Sequence, residues 1–162
     1  MSLLQIQYDG IFELFLGSVT DYSLATLEEE DAKGLMSGWL RKGISRPYVK
    51  RIFSTSRFND AEQMFEFQLA KPSLNESDED QIDFVKGIAV KAMIIEWCTP
   101  LVMKTTNMVQ MFGEKEQKYF SQALHLSELR GLLDDTKKEL RQELGDRGVV
   151  INKYLGTAGD ET

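Results

Sequence analysis

The sequence predicts a mostly α-helical protein, a compact bundle of about four main helices with a short extended or β segment near residues 62–70 and an extended C-terminal tail. Two observations lead to this fold class. Large apolar residues recur at three- and four-residue steps over most of the chain, which is the period of an amphipathic helix. Strict alternation of apolar and polar residues, the period of a strand, is confined to Phe65–Leu69.

The first helix is predicted to start after Asp9, a residue type that is favoured at helix N-caps. A polar turn over residues 20–23 separates it from a second helix, for which Thr26 and Glu29 have the spacing of a capping box. The acidic run over residues 28–31 falls in the first turn of that helix, where the helix dipole favours negative charge. We interpret the run as a solvated helix start in preference to a cation site.

The second helix is predicted to present one apolar stripe to the core. The stripe consists of Ala32, Leu35, Met36, Trp39, Leu40 and Ile44. Gly34 and Gly38 lie four residues apart in this helix, where glycine lowers helix stability. We therefore expect the two glycines to mark a close approach by another backbone. The cations Arg41, Lys42 and Arg46 lie near the C-terminal end of the helix, where positive charge is favoured.

Residues 46–71 form the least helical segment. Pro47 is predicted to stop the preceding helix, because proline lacks a backbone N–H and restricts the residue before it. The alternation over Phe65–Leu69 predicts a half-buried strand. The alternative for this segment is a short helix capped by Asn59 and Glu62.

A polar loop leads to a long central helix that Ser77 is predicted to cap. The apolar residues of this helix surround most of its circumference, so it should be buried on several sides. They are Ile82, Val85, Ile88, Ala89, Ala92, Met93, Ile95 and Trp97. Pro100 is predicted to kink or end the helix. Thr105–Gly113 is apolar with poor helical periodicity, and we expect either a buried crossover or an exposed apolar loop that another subunit covers.

The last helix is predicted to run from near Glu114 to Leu144 and to end at Gly145. Its packing face comprises Phe120, Leu124, Leu129, Leu133, Leu140 and Leu144. The chain therefore divides into a helical domain, residues 1–148, and a C-terminal extension, residues 149–162, that either docks on a partner or is flexible. Two arrangements are open for the apolar cluster of the extension. It adds a strand to a neighbour's sheet, or it folds back onto its own domain.

The composition fits one globular domain of 162 residues with a net charge of −7. Proteins that grip DNA usually carry a basic excess or a basic stripe, and this chain has an acidic excess. The most apolar window, Ile88–Met103, is shorter than the roughly 20 apolar residues that a membrane span requires. The N-terminus lacks the pattern of a secretory signal. We therefore expect synthesis in the cytoplasm and no membrane insertion.

Residues that usually carry chemistry occur singly in this sequence. His125 is the one histidine, with Glu128 at helical spacing, whereas metal sites usually need several ligands. Cys98 is the one cysteine and lies in an apolar stretch, which predicts a small buried side chain in place of a reactive thiol. The sequence contains no nucleophile elbow, phosphate-binding loop or dinucleotide-binding glycine motif. We therefore expect no enzymatic activity, no metal and no cofactor.

Three parts of the sequence resemble a family of phage virion proteins at the head–tail junction, the small helical adaptor or neck proteins that join portal to tail. The first part is Ile11–Tyr22, followed by the acidic start of the second helix. The second comprises Phe65–Leu69, the acidic cap at Asp78–Asp80, and the buried helix that ends in Glu96–Val102. The third is Tyr119–Leu126, at the start of the final helix.

The resemblance implies a virion structural protein that forms a ring of identical subunits, dodecameric to follow the portal. Its partners would be further copies of itself, the portal protein, and a tail or second neck protein. DNA would pass through the ring without sequence-specific binding, and an acidic lumen would let it slide past. We expect the partner contacts in the two apolar segments outside the helical pattern. Their candidate residues are Met108, Val109, Met111, Phe112, Val149, Val150, Ile151, Tyr154 and Leu155.

Two functions from other classes compete with this one. A cytoplasmic regulatory module without catalytic activity would bind one partner helix in a groove and would be a monomer or a dimer. An enzyme with an unfamiliar site would contain a deep polar pocket with perturbed ionisable groups. The mass in solution, with and without a candidate portal, separates the ring from the module.

Overall fold

The computed structural model describes residues 3–72, 75–112 and 117–148, of which residues 22–23, 105–112, 117–124 and 148 are described by their backbone alone. The elements follow in the order β1 (Leu4–Gln7), α1 (Tyr8–Ser18), α2 (Tyr22–Ala25), α3 (Glu29–Ser45), α4 (Pro47–Lys50), β2 (Phe53–Asn59), β3 (Met64–Leu69), α5 (Asp78–Phe112) and α6 (Gln117–Gly148). This part of the chain is mostly helical, as predicted. It also contains a three-stranded antiparallel sheet, so it is not a pure helical bundle.

Helix α5 forms the centre of the core. It packs against α6 on one side and against α3, α1 and β1 on the others. Ten of the fourteen residues from Val85 to Cys98 are buried and the other four are partly buried, because apolar residues surround the helix at that level. The predicted burial of the central helix on several sides is confirmed.

Helix α3 approaches α5 most closely at Gly43, near its C-terminal end. A Cβ atom on Gly43 would lie 2.7 Å from Cβ of Ala92 and 3.0 Å from the carbonyl carbon of Ala92. A Cβ atom on Gly34 or Gly38 would meet nothing within 4 Å. The predicted close approach at Gly34 and Gly38 is therefore wrong, because those two positions lie away from the crossing with α5.

The helix starts follow the predicted signals only in part. Helix α5 begins with a reciprocal capping box, in which Asp80 N–H donates to Ser77 Oγ and Ser77 N–H donates to Asp80 Oδ2, both at 3.1 Å. Hydrogen bonds that the Asp80 carboxyl receives from the Ser77 side chain, and then from the Ser77 backbone N–H, lower the pKa of that carboxyl. Helix α3 instead has Glu28 at its N-cap without a side-chain cap. The capping box predicted from Thr26 is wrong, because the helix starts further along the chain.

Helix α1 also starts at a different residue from the predicted one. Gln7 occupies its N-cap, and Asp9 lies inside the first turn. The cause is the strand before it, since β1 runs directly into α1 and Tyr8 N–H donates to the carbonyl of Gln63 at 2.8 Å. The stop predicted at Pro47 is confirmed, because α3 ends at Ser45.

Both long helices run further than predicted. Helix α5 continues through Pro100 to Phe112, although an internal proline removes a backbone hydrogen bond and costs about 3 kcal/mol. The packing of Cys98 and Leu101 against the core on either side of the proline offsets this cost. Helix α6 passes Gly145 and ends at Gly148. In its last turn, Arg147 donates to the Glu76 carboxylate at 2.6 and 2.9 Å, and this contact stabilises the helix beyond the predicted glycine stop.

The sheet has β3 at its centre, with β1 on one side and β2 on the other. The predicted strand at Phe65–Leu69 is confirmed as β3, and its neighbours β1 and β2 were not predicted. Residues 59–62 form part of the β2–β3 turn, in which Glu62 N–H donates to Asn59 Oδ1 at 3.3 Å. The alternative of a short capped helix is wrong, because Asn59 caps a turn.

Candidate functional site

The predicted partner-contact residues fall into two groups in the structure. Met108, Val109, Met111 and Phe112 lie in the last turns of α5, where the backbone is helical. Thr105–Phe112 is therefore neither an irregular crossover nor a loop, because α5 continues through it, and Gly113 lies outside the described residues. Val149, Val150, Ile151, Tyr154 and Leu155 also lie outside the described residues.

Helices α5 and α6 form an antiparallel hairpin. Near the start of α5, the guanidinium of Arg147 lies 4.3 Å from the centre of the Phe84 ring. Midway along, Lys91 forms an ion pair with Glu143. Further along, the Cys98 thiol donates to the carbonyl of Leu129 at 3.3 Å.

Toward the far end of this hairpin, exposed side chains appear on both helices. On α5, Met103 is 62% exposed and Lys104 is also exposed. On α6, His125 is exposed, whereas Leu126 is buried. From Met103 the helical backbone continues for roughly 13 Å to Phe112 at 1.5 Å per residue. We call Met103–Phe112 of α5 together with Gln117–His125 of α6 the distal arm.

A groove of about 770 Å³ lies between the end of α3, α4, the middle of α5 and the second half of α6. We call it the basic groove. Its lining residues are Trp39, Lys42, Arg46, Tyr48, Arg51, Ile95, Glu96, Thr99, Pro100, Lys137, Leu140, Arg141 and Leu144. They come from four helices, from Arg46 between α3 and α4, and from Arg51 after α4, so the fold itself assembles this surface.

The charge in the basic groove is strongly one-sided. Five cations line it with one carboxylate, Glu96. Glu96 accepts two hydrogen bonds from the Arg46 guanidinium, at 2.6 and 3.1 Å, and these bonds raise the pKa of Arg46. The other four cations, Lys42, Arg51, Lys137 and Arg141, have no carboxylate within ion-pair distance in the part of the chain that the structure describes.

The floor of the basic groove is apolar. Ile95, Leu140 and Leu144 are almost completely buried there, and Trp39 is half-buried. Tyr48 is 39% exposed at the rim. Burial, and then the charge of Glu96, raise the pKa of Tyr48, so its hydroxyl remains a hydrogen-bond donor at neutral pH. The groove can therefore hold a ligand that combines apolar groups with negative charge.

The sequence carried only part of the signal for this groove. The sequence places Lys42 and Arg46 near the end of a predicted helix, but Lys137 and Arg141, which line the same groove, belong to α6, far along the chain. Lys137 and Arg141 lie four residues apart, beside the buried Leu140 and Leu144. That spacing places two cations next to the packing face of α6, and it is the local feature of the sequence from which the groove could have been predicted.

The isolated histidine and cysteine have ordinary surroundings. Cys98 is fully buried, as predicted, and burial raises the pKa of its thiol to about 11. His125 is exposed on α6. Among the described residues, no three histidine, cysteine, aspartate or glutamate side chains are grouped so that they could hold a metal ion.

Within the described ranges, no helix combines the length and the apolar character that a membrane span needs. No family model, curated protein or solved structure matches this chain.

Proposed function

We propose that this protein is a structural subunit of the phage head–tail junction, one of a ring of identical copies that joins portal to tail and lets DNA pass. The observation that carries the proposal is the distal arm. Helix α5 continues from the exposed Met103 to Phe112, and the sequence of its last turns includes the apolar Met108, Val109, Met111 and Phe112. We propose that these residues belong to a surface that another molecule covers.

The resemblance to the adaptor family supports the same function. Ile11–Tyr22 corresponds to α1 and the turn after it, and Tyr119–Leu126 lies mostly in the distal arm. The net charge of −7 suits a channel wall along which DNA slides without being held. In this function the protein is part of the virion after synthesis in the host cytoplasm, its neighbours are the portal and a tail or second neck protein, and no catalysis is required.

The proposal is tested by changing the exposed apolar surface of the arm without disturbing the core. Met103→Lys places a charge on the arm, and lysine is a good helix former. Leu35→Lys is the matched control, because Leu35 is 47% exposed on α3 in the body of the domain. Each full-length variant is mixed with a candidate portal protein, and bound protein is measured by co-sedimentation.

The proposal predicts that wild type and Leu35→Lys bind the portal as rings, whereas Met103→Lys binds at least about tenfold more weakly, a loss of 1.4 kcal/mol. Circular dichroism of both variants controls for folding. Equal binding by Met103→Lys would remove the arm as the contact surface. A wild-type chain that ignores every portal offered would contradict the proposed function.

The basic groove favours a second candidate function. A helical interaction module would receive a charged, partly apolar segment of one partner in such a groove. The two functions differ in stoichiometry, since a module forms a one-to-one complex and stays a monomer or a dimer, whereas a connector subunit assembles into a closed ring.

A further inference from the structure

We propose that the basic groove binds the C-terminal segment, residues 149–162, of a neighbouring copy of this chain. The inference rests on the proposed ring for its neighbouring copy, and it names a contact between the subunits of that ring. The groove and the segment would then form a heterologous contact, in which each copy offers one surface and receives the other.

The charge of the groove calls for an anionic occupant. Lys42, Arg51, Lys137 and Arg141 converge on one surface of a protein whose net charge is −7, and the carboxylate of Glu96 is already bound by Arg46. Cations that face one another repel, so an unoccupied cluster of this kind destabilises its own fold. A carboxylate-bearing partner turns that repulsion into attraction.

The floor of the groove calls for apolar groups as well. Leu140 and Leu144 are covered by the protein itself, but the half-buried Trp39, the exposed Pro100 and Tyr48, which is 39% exposed, present accessible apolar surface in the groove. A phosphate backbone presents charge without apolar side chains, so it would leave this apolar surface uncovered. A peptide that carries both aliphatic and acidic residues can cover the apolar surface of the groove and pair with its cations at the same time.

The chain contains a segment with this composition next to the groove. Helix α6 ends at Gly148, about one turn after Leu144. The residues that follow combine the apolar Val149–Ile151 and Tyr154–Leu155 with the carboxylates of Asp160 and Glu161. Lys153 is the single cation among residues 149–162.

Geometry favours the groove of another copy over the segment's own groove. Helix α6 runs from Lys137 to Leu144 along the groove wall, about 10 Å, and so carries the chain out of the groove. Asp160 lies twelve residues after Gly148, and a chain of that length spans at most roughly 40 Å. A segment that continues in the direction of α6 moves away from its own groove, and this length is enough to reach the groove of an adjacent copy in the proposed ring.

Binding is tested with a fluorescently labelled peptide of residues 149–162 and the full-length protein. Lys137→Glu/Arg141→Glu inverts two groove charges, and Lys50→Glu/Lys138→Glu is the control with the same change in net charge at exposed positions outside the groove. We expect the groove variant to weaken peptide binding about tenfold in fluorescence anisotropy, because two ion pairs become two repulsions. The control should bind within about twofold of wild type.

A peptide with Asp160→Asn/Glu161→Gln should lose binding to the wild-type chain to the same extent. Equal binding by the groove variant and its control would overturn the proposal. A labelled single-stranded oligonucleotide that binds in a groove-dependent manner, while the peptide does not bind, would also overturn it and would assign the groove to nucleic acid.

A charge exchange between full-length chains tests the contact between copies. Lys137→Glu/Arg141→Glu in one chain and Asp160→Lys/Glu161→Lys in another should each stay monomeric, whereas their mixture should associate, because the two new carboxylates of one groove then meet the two new lysines of the other chain's segment. Sedimentation velocity measures this. Two folded variants that never associate would show that no segment reaches a neighbour's groove, which would overturn the inference.

The inference and the proposed function fail separately. Groove-dependent peptide binding without any portal binding would remove the phage junction and leave the contact between copies in place. Rings on the portal with unchanged stability in Lys137→Glu/Arg141→Glu would remove the groove contact and leave the ring.

Discussion

Substitution of Gly43 by alanine tests the helix crossing that shapes the basic groove. Gly43 lies between Lys42 and Arg46, which both line the groove. The added Cβ atom would lie 2.7 Å from Cβ of Ala92, with the carbonyl carbon and oxygen of Ala92 at 3.0 and 3.1 Å. Two of these three contacts are to the backbone of α5, which cannot rotate away. The helices must separate, and Arg46 then moves away from Glu96.

The size of the effect follows from two opposing terms. Overpacking of a tight contact costs about 1–3 kcal/mol. Alanine gains up to about 1 kcal/mol over glycine in a helix, and less in a last turn such as the one that contains Gly43. The net loss is about 1–2 kcal/mol, which lowers the melting temperature of a chain of this size by roughly 3–6 °C.

Gly34→Ala and Gly38→Ala are matched controls in the same helix. Neither added Cβ would meet an atom within 4 Å, so each should raise the free energy of unfolding by about 0.5–1 kcal/mol through helix propensity alone. Urea denaturation followed by circular dichroism measures all three variants. An increase in stability for Gly43→Ala equal to that of the controls would refute the close approach of α3 to α5.

Three further predictions concern other parts of the fold. Arg147→Met should lower the free energy of unfolding by about 2 kcal/mol, because it removes the guanidinium that binds the partly buried carboxylate of Glu76 at 2.6 and 2.9 Å; Arg147→Met/Glu76→Gln should restore part of that loss in urea denaturation, and no recovery would exclude the lost ion pair as the cause. Cys98 should react with a thiol reagent at pH 8 at the rate of unfolding, because its thiol is buried with a pKa of about 11; rapid labelling of the folded protein would contradict the position of Cys98. Hydrogen bonds, first from Arg57, lower the pKa of Glu66 below its unfolded value. This carboxylate therefore stabilises the fold at neutral pH, and its contribution disappears as the pH falls through the lowered pKa. Glu66→Gln should reduce the loss of stability at acid pH in a plot of stability against pH, and an unchanged loss would refute the link between Glu66 and acid stability.

The elements that the sequence predicted are those whose signals are local. The period of α5 and the capping box at Ser77 lie within the helix that they specify. The alternation over Phe65–Leu69 likewise identified β3 from its own residues. In each case the signal and the structure that it determines are neighbours in the chain.

Glu66 shows why the neighbours of β3 could not be predicted from the sequence. The alternation implies an exposed Glu66, yet its side chain is buried, because it accepts hydrogen bonds from Arg57 of β2 and from Gln5 of β1. Both partners belong to strands that lack a clear alternation of apolar and polar residues. Their own sequence does not identify such strands, which form by pairing with β3.

The basic groove depends on tertiary structure in the same way. Lys42 and Arg46 are near in sequence, but Lys137 and Arg141 join them only after α3 and α6 have packed against α5. The close approach at Gly43 was missed for the same reason, since helix period alone does not tell which glycine meets a neighbour. The candidate contact residues were therefore predicted from local apolar segments of the chain, whereas the groove is formed by cations that come from distant parts of the sequence.

The mass of the full-length chain bound to a candidate portal tests the central claim most directly. Light scattering on the complex should give a ring of identical 18.5 kDa subunits on the portal, twelve if the ring follows a dodecameric portal. A protein that remains a monomer and ignores the portal would contradict the assignment to the head–tail junction.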